Sequence, residues 1–301
     1  MARAFRFIDL FAGIGGFHIA FEAVGAKCVL VSEWNEPARA TYRHNFQART
    51  PAVFSSEKKE AKGFVGDITS ITGSGEIRAL IPDFDVLCAG FPCQPFSQAG
   101  LKKGLEETRG TLFFDILKIL DTKKPAAFFL ENVRGLLTHE SESGVKTMDV
   151  IRAQLSKAGY HFSEYLVKAS DYGVPQHRPR LFIIGFRDAA AFSKFERPET
   201  VPLKTTLDEV MGGKTGREIG FTLRVGGRGS GVDDRRNWDT YLVDGSPKRL
   251  TPAEGLALQG FPSWFSFPET VSETQAMKQL GNSVAVPAIQ AFAKQIKKAL
   301  S

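Results

Sequence analysis

The chain is poor in cysteine. Cys28, Cys88 and Cys93 are the only three among 301 residues. An odd number this small excludes a disulfide framework. No two of them form a CxxC pair, so a structural zinc site is not expected and no metal is. Long apolar runs are also missing, with nothing near the roughly 20 residues that span a bilayer. The basic, briefly apolar N-terminus is interrupted by Asp9 and runs into glycines with a better use, which argues against a signal peptide. A cytoplasmic protein that keeps off membranes is expected. Internal repeats are absent, and Ser55–Lys62 reads as a short solvated charged loop. The charge leans positive, at +6 with a sequence pI near 9.2. That suits nucleic acid and suits an ordinary basic enzyme equally well.

What is present is a globular composition, with 43% hydrophobic and 24% charged residues, enough for one large domain or two modest ones. Short apolar runs at Phe5–Leu10, Val29–Ser32, Asp85–Ala89, Ala126–Leu130 and Leu181–Phe186 read as strands. Between them lie helical patterns. Phe17, Ala20, Phe21 and Val24 recur at helical spacing, with Gly25 as C-cap, and Leu112–Leu120 and Val145–Leu155 behave similarly. This alternation predicts an α/β fold, a mostly parallel sheet with helices on both faces, and ligands bound beyond the carboxyl ends of the strands. The texture changes after Arg187. Eight glycines fall between Gly212 and Gly231, and Lys214–Arg249 carries eight Lys or Arg against five Asp or Glu. Half of the excess charge therefore sits in one loop-rich region, which Phe221, Leu223, Val225, Trp238 and Tyr241 anchor against disorder. A final helix, with Pro287 in its first turn, presents Ile289, Phe292, Ile296 and Leu300 on one face. The expected division is 1–187 with 270–301 as one domain and 188–269 as a second, smaller one with its hinge.

The residues after each strand carry the chemistry. Phe11-Ala-Gly13-Ile14-Gly15-Gly16 turns from strand to helix with glycines that let a ligand approach the backbone. The spacing is not GxGxxG, which disfavours a nicotinamide cofactor and an oxidoreductase. Glu33 and Trp34 end the second strand, where a carboxylate can accept ribose hydroxyls and an indole can stack on adenine. Asp67 could accept from an adenine amino group. Each also has an ordinary explanation: a structural turn, a core indole, a turn aspartate. Cys93, in Phe91-Pro92-Cys93-Gln94, lies just past a buried strand, where a thiol can become a reactive thiolate or remain structural. Phe96–Gly104 is polar, basic and Gly-hinged, fit for a closing loop or for plain solvation. Glu131, beside apolar Phe and Leu, could hold a proton. Arg178 and Arg180 flank the next strand and fit either a carbonyl or phosphate ligand or an ion pair at the sheet edge.

Taken in order, these segments resemble the bacterial DNA cytosine-5 methyltransferases of type II restriction-modification systems. Phe11–Gly16, Glu33-Trp34, Asp67, Gly90–Gln94, Glu131-Asn132-Val133, Gln176–Arg180, Arg217–Thr222 and Gly281–Val284 match its motifs across nearly the whole chain. The resemblance implies a Rossmann-like S-adenosylmethionine-dependent domain with a small target-recognition domain. It implies a cofactor pocket of Phe11, Gly13, Ile14, Gly16, Glu33, Trp34, Asp67, Ile68, Pro92, Asn282 and Ser283. Cys93 would attack carbon 6 of cytosine, Glu131 would hold ring nitrogen 3 and the exocyclic amine, and Arg180, with Arg178 close by, would hold the ring carbonyl. Ser97 and Arg109 would contact DNA from the closing loop. Double-stranded DNA is the implied partner, along with a cognate restriction endonuclease that need not touch the enzyme; a monomer is expected.

One departure from the family pattern stands out. Few residues separate Arg187 from Arg217, so the recognition region is short and the loop after Arg217 must carry much of the base contact. Arg217, Arg224, Arg228, Arg235, Arg236 and Asn237 are its candidates, because Arg and Asn suit guanine and adenine edges. Asp233, Asp234 and Asp239 offer the alternative of tying these arginines down locally. A tRNA cytosine-5 methyltransferase of the same family and a catalytically dead DNA-binding regulator are the rival readings. The Arg-rich loop weighs against the first, and the full set Cys93, Glu131 and Arg180 against the second.

Overall fold

Two-sided burial explains the architecture. A computed structural model describes residues 5–55, 63–92, 112–140 and 144–301. Successive residues of a strand face opposite sides, and here both sides are apolar. On β1 (Arg6–Leu10), Phe7 enters one hydrophobic cluster while Ile8 and Leu10 enter another. On β4 (Val86–Gly90), Val86 and Cys88 alternate with Leu87 and Ala89 in the same way. β5 (Ala127–Val133) and β7 (Pro179–Phe186) repeat the pattern. Such strands read as continuous apolar runs, and helices must cover both faces.

With β2 (Lys27–Ser32), β3 (Phe64–Val65) and β6 (His161–Lys168), these strands form a seven-stranded sheet in the order β3-β2-β1-β4-β5-β7-β6. The first five strands in that order pair in parallel, whereas β7 runs antiparallel to β5 and β6. The mostly parallel sheet expected from the sequence is therefore present, with an antiparallel far side. One face is covered by the helices Gly16–Glu22, Glu36–Phe46 and Val286–Leu300, the other by Leu112–Lys123 and Thr147–Lys157. The last helix returns to the first, and Lys297 Nζ donates to the Val24 carbonyl at 2.7 Å. Phe292 is fully buried against Phe182, with ring centroids 5.2 Å apart. Truncating it to alanine would cost about 3–5 kcal/mol.

The region after Arg187 does not continue the sheet, as expected, though it begins by packing on it. The short helix Ala189–Lys194 leads to Phe195, whose ring lies 5.3 Å from that of Phe186. Farther on, β8 (Thr240–Val243) and β9 (Ser246–Arg249) form an antiparallel hairpin. Its turn residues Asp244 and Gly245 both have positive φ, 49° and 82°, the conformation a tight two-residue hairpin turn demands. Leu223, Trp238 and Tyr241 are buried, and Trp238 Nε1 donates to the Gly226 carbonyl at 3.0 Å. Of the other two expected anchors, Phe221 is half-buried and Val225 is exposed. No helix among the described residues is long and apolar enough to cross a membrane.

Candidate active site

β2 and β4 leave β1 on opposite sides, which makes the carboxyl ends of β1 and β4 the topological switch point where open α/β sheets bind ligands. Among the described residues, the segments that follow β1, β2, β3, β4 and β5 lie along this edge. The turn after β1 is shaped by three residues of positive φ: Phe11 at 55°, Gly13 at 55° and Gly15 at 90°. Phe11 is a non-glycine in a sparsely populated region, a kind of strain that clusters at functional sites. A Cβ on Gly13 would meet nothing within 4 Å, so its backbone faces open space. Glu33, buried at the end of β2, holds this turn. Its Oε2 accepts from the Gly13 N–H and its Oε1 from the Asn35 N–H, both at 2.8 Å. Burial nevertheless pushes its carboxyl above the usual range. Each oxygen keeps a lone pair for another donor.

The side chains around this turn divide by exposure. Trp34 is 74% exposed, an open indole face beside the buried Glu33. Asp67 and Asn282 are exposed, and Asp67 Oδ1 accepts from the Thr69 N–H at 2.9 Å, leaving Oδ2 to the outside. Ile14 and Ile68 behave differently, each 1% exposed and packed in the core, so they support the pocket from behind. Gly16 is equally internal, because a Cβ there would sit 2.5 Å from Val284 Cγ2. Ser283 is buried, and Pro92 is exposed at the exit of β4. Asp9, on β1, went unassigned in the sequence. It is fully buried, neither carboxyl oxygen has a hydrogen-bond partner among the described residues, and burial with the nearby Glu33 charge drives its pKa well up.

The acid stands at the tip of β5. Parallel pairing sets Glu131 opposite Gly90, and antiparallel pairing sets Val133 opposite Arg180. Glu131 Oε1 forms an ion pair with Arg180 Nε at 2.9 Å, both side chains being largely buried. A Cβ on Gly90 would lie 3.4 Å from Glu131 Oε2, so this glycine leaves room for the carboxyl over the strand exit. Asn132 Nδ2 donates to the Phe91 carbonyl at 2.9 Å and ties that exit to the acid's own strand. Burial raises the Glu131 pKa, and the Arg180 and Arg178 charges oppose it without cancelling it. Cys93 follows Phe91 by two residues; it lies outside the described residues, as do Ser97 and Arg109.

Three expectations need correction. Arg178 lies close to Arg180 and Glu131, but its guanidinium is taken up by backbone and is not offered to a ligand. Its side chain is 1% exposed and its guanidinium donates to the backbone carbonyls of Leu223, Gly281 and Ser283. Arg228 is not a free base reader. Its Nε donates to Asp239 at 3.2 Å, and its Nη2 reaches Glu273 at 2.6 Å and the Leu250 carbonyl at 2.8 Å. Asn237 spends its amide on the turn, donating to the Thr240 carbonyl at 2.8 Å and accepting from the Asp239 and Thr240 N–H groups. Arg224 and Arg235 are exposed, Arg236 is exposed and paired with Asp234, and Arg217 lies 4.5 Å over the Phe221 ring. Arg249, not singled out in the sequence, is 52% exposed and stands 3.6 Å from the buried Asp239.

The comparisons with known proteins bear on the same edge. A family model described as C-5 cytosine-specific DNA methylase matches residues 5–219 and 214–298. The type II methyltransferase M.HpaII of Haemophilus parainfluenzae is 41% identical over all of this chain and 91% of its own. M.NlaX of Neisseria lactamica is 40% identical over 99% and 97%. Among solved structures, the Dnmt2 methyltransferase of S. pombe superposes with a TM-score of 0.69 at 17% identity, covering 99% of each chain, which speaks to the fold. The chain belongs to the C-5 cytosine-specific DNA methylases.

This methyltransferase uses S-adenosylmethionine as methyl donor and transfers the methyl group to cytosine in DNA. The residues present fit that donor. An open glycine turn, a buried carboxylate with acceptor capacity, an exposed indole and a free Asp67 oxygen suit a nucleoside with ribose hydroxyls, a flat base and an exocyclic amine. Among the described residues no group of His, Cys, Asp or Glu could hold a metal ion.

Proposed function

We propose that this methyltransferase works through a covalent adduct between Cys93 and a cytosine turned out of the duplex, in a specific short sequence. Carbon 5 of cytosine is a weak nucleophile, since attack from it would break the ring's delocalisation. Addition of the Cys93 thiolate at carbon 6 moves an electron pair toward ring nitrogen 3 and makes carbon 5 enamine-like. Glu131 meets that charge and supplies a proton to nitrogen 3; Arg180 holds the ring carbonyl and keeps the carboxyl in place. Carbon 5 takes the methyl group that S-adenosylmethionine supplies. Loss of the carbon 5 proton to a base lets the thiolate leave, and return of the nitrogen 3 proton to Glu131 restores the neutral ring and the acid. The single observation that carries this reading is the buried Glu131–Arg180 pair, at 2.9 Å, poised over the Gly90 exit that runs into Pro92-Cys93.

Glu33, Trp34 and Asp67 bind the nucleoside part of the donor, with Phe11 and Gly13 shaping the turn beneath it and Asn282 and Ser283 closing its side. Ser97 and Arg109 close over the DNA. Residues 188–269 form the recognition region, with Arg217, Arg224, Arg235 and Arg236 as its DNA contacts. Flipping the base costs about a few kcal/mol, which phosphate contacts from this basic region offset, so affinity falls as salt rises. Relatives named type II methyltransferases support a pairing with a restriction endonuclease that need not touch the enzyme, and we place the protein in the cytoplasm as a monomer. Bisulfite sequencing of plasmid DNA from cells expressing the protein tests the reading. Methylation at one short sequence supports it, and methyl transfer to tRNA with none to duplex DNA overturns it.

A further inference from the structure

Gln176, Arg178 and Arg180 alternate on an extended segment, and residues two apart share a face. Their contacts form three rungs. Gln176 Oε1 accepts from the Leu223 N–H at 3.4 Å. Arg178 Nη1 donates to the Leu223 carbonyl at 3.1 Å, and its Nη2 donates to the carbonyls of Gly281, at 2.8 Å, and Ser283. Arg180 reaches Glu131. Both backbone groups of Leu223 are thus held by side chains of this one segment. The same guanidinium closes the end of the helix Glu273–Asn282, where unpaired carbonyls and the helix dipole favour a cation. The two segments Arg178 binds also touch each other. A Cβ on Gly281 would sit 2.5 Å from the Arg224 carbonyl carbon and oxygen, so only glycine permits the approach.

A buried guanidinium is costly to desolvate, and no carboxylate lies within ion-pairing distance of this one among the described residues. Burial and Arg180 lower its proton affinity, yet a guanidinium starts so high that it remains charged. Packing alone would be served as well by an apolar side chain. What the cation adds is a rigid fork joining three carbonyls from two segments that have different tasks. Leu223 lies beside Arg224 in the recognition region, and Gly281 and Ser283 bracket Asn282 in the cofactor pocket.

We infer that Arg178 is a positioning residue that couples target recognition to cofactor binding, because its guanidinium fastens the Leu223 backbone to the helix end Gly281–Ser283 two residues from the Arg180–Glu131 pair. The inference rests on the reading of residues 188–269 as the recognition region and of Asn282 and Ser283 as cofactor ligands. A displacement of Thr222–Val225 by the right DNA sequence pulls on the carbonyl that Arg178 holds and is passed to the helix end on its other side. Coupling of this kind is reciprocal, so bound target DNA changes cofactor affinity by the same factor as bound cofactor changes DNA affinity.

The test is calorimetric titration of S-adenosylhomocysteine, the unreactive product, into the full protein alone and with a duplex carrying the sequence mapped by bisulfite sequencing. Wild-type enzyme is expected to bind it roughly tenfold more tightly with that duplex than with a scrambled one. Arg178→Lys keeps the charge and loses the fork, so the factor should fall below about threefold. A structural role alone would lower the melting temperature and leave the factor in the folded protein unchanged. If the lysine variant does not fold, Gly281→Ala forces the two segments apart with Arg178 intact and should erase the factor too. A wild-type factor near one, or a factor preserved in the variant that folds, overturns the inference. Methylation of the duplex by the same wild-type preparation separates the two claims. An active enzyme without coupling sinks only the role of Arg178, and an inactive one sinks the reading beneath it.

Discussion

Arg180 and Arg236 each stand close to a carboxylate, 2.9 Å from Glu131 and 2.7 Å from Asp234, yet the two pairs are different objects. The first is sandwiched at the edge of the central sheet, its partners delivered by strands far apart in sequence. The second joins residues two apart on an exposed loop, with Arg236 75% exposed. Beside Glu131 burial wins and the carboxyl is pushed up; beside Asp234 the arginine wins and the carboxyl is pulled down to about 2. Distance does not rank an ion pair. What ranks it is how much water has been removed and how many other contacts hold the partners. The same contrast separates the two regions, a sheet edge whose charges are buried against partners from distant strands and an exposed loop in which Arg224 and Arg235 face solvent.

The sharpest way to break this comparison is to remove the chemistry from the sheet edge and leave the loop intact. Cys93→Ser should lower methyl transfer by on the order of 10³-fold or more, with duplex binding retained in a gel-shift assay. An undiminished rate in the purified variant sinks the covalent mechanism. Next in size is Glu131→Gln, expected to slow turnover by roughly 10²–10⁴-fold, the range a positioned acid contributes. Its pH profile adds a signature. The pKa of Glu131 is raised, so the protonated, proton-donating form is complete at low pH and is lost as pH rises through that raised value. Wild-type kcat should therefore fall on an alkaline limb lying above the ordinary carboxylate range, and the glutamine variant should lack that limb. Stability carries the same sign, since the contribution of Glu131 is full below its unfolded pKa and is lost as pH rises through the folded one.

Much of the sheet edge is legible in the sequence, because a strand buried on both faces is a continuous apolar run and the functional residues follow it. Edge strands are not legible this way. β6 is largely half-exposed and β3 is two residues long, so neither leaves a strong run. The hairpin has a sequence signal of its own, Asp244-Gly245 between two strand-like segments. Arg178 and Arg180 show the limit. Their spacing puts both on one face of an extended chain, but the carbonyls that claim Arg178 lie 45 and 103 residues away. Arg228 is similar, its partners Asp239 and Glu273 lying 11 and 45 residues on. Side-chain type and local spacing place an arginine on a face; tertiary partners decide whether it is a strut or a reader.

That distinction gives two smaller predictions within residues 188–269. Arg228→Ala leaves the fully buried Asp239 with the more distant Arg249 as its remaining cation and strips the Leu250 carbonyl of a donor. A loss of about 1–3 kcal/mol of stability is expected, read as a lowered denaturant midpoint, with sequence preference kept in the folded fraction. A broadened target set at unchanged stability would return Arg228 to the base contacts.

Arg235→Ala is the counterpart and the smallest effect. Arg235 is exposed in the loop between Gly231 and Trp238, and its removal should leave the denaturant midpoint unchanged. If it meets a phosphate, binding weakens about equally for every duplex and the slope of log affinity against log salt shrinks by about one. If it meets a base edge, the salt slope changes little and discrimination at one position drops by about 1–3 kcal/mol. Arg236 is expected to follow the phosphate pattern, because Asp234 already occupies its fork. A salt series on the two alanine variants, run on the mapped duplex and on single-base variants of it, separates these outcomes. A midpoint shift in Arg235→Ala comparable to that of Arg228→Ala would mean that the loop holds its arginines as the sheet edge does, and the contrast between the two regions would be lost.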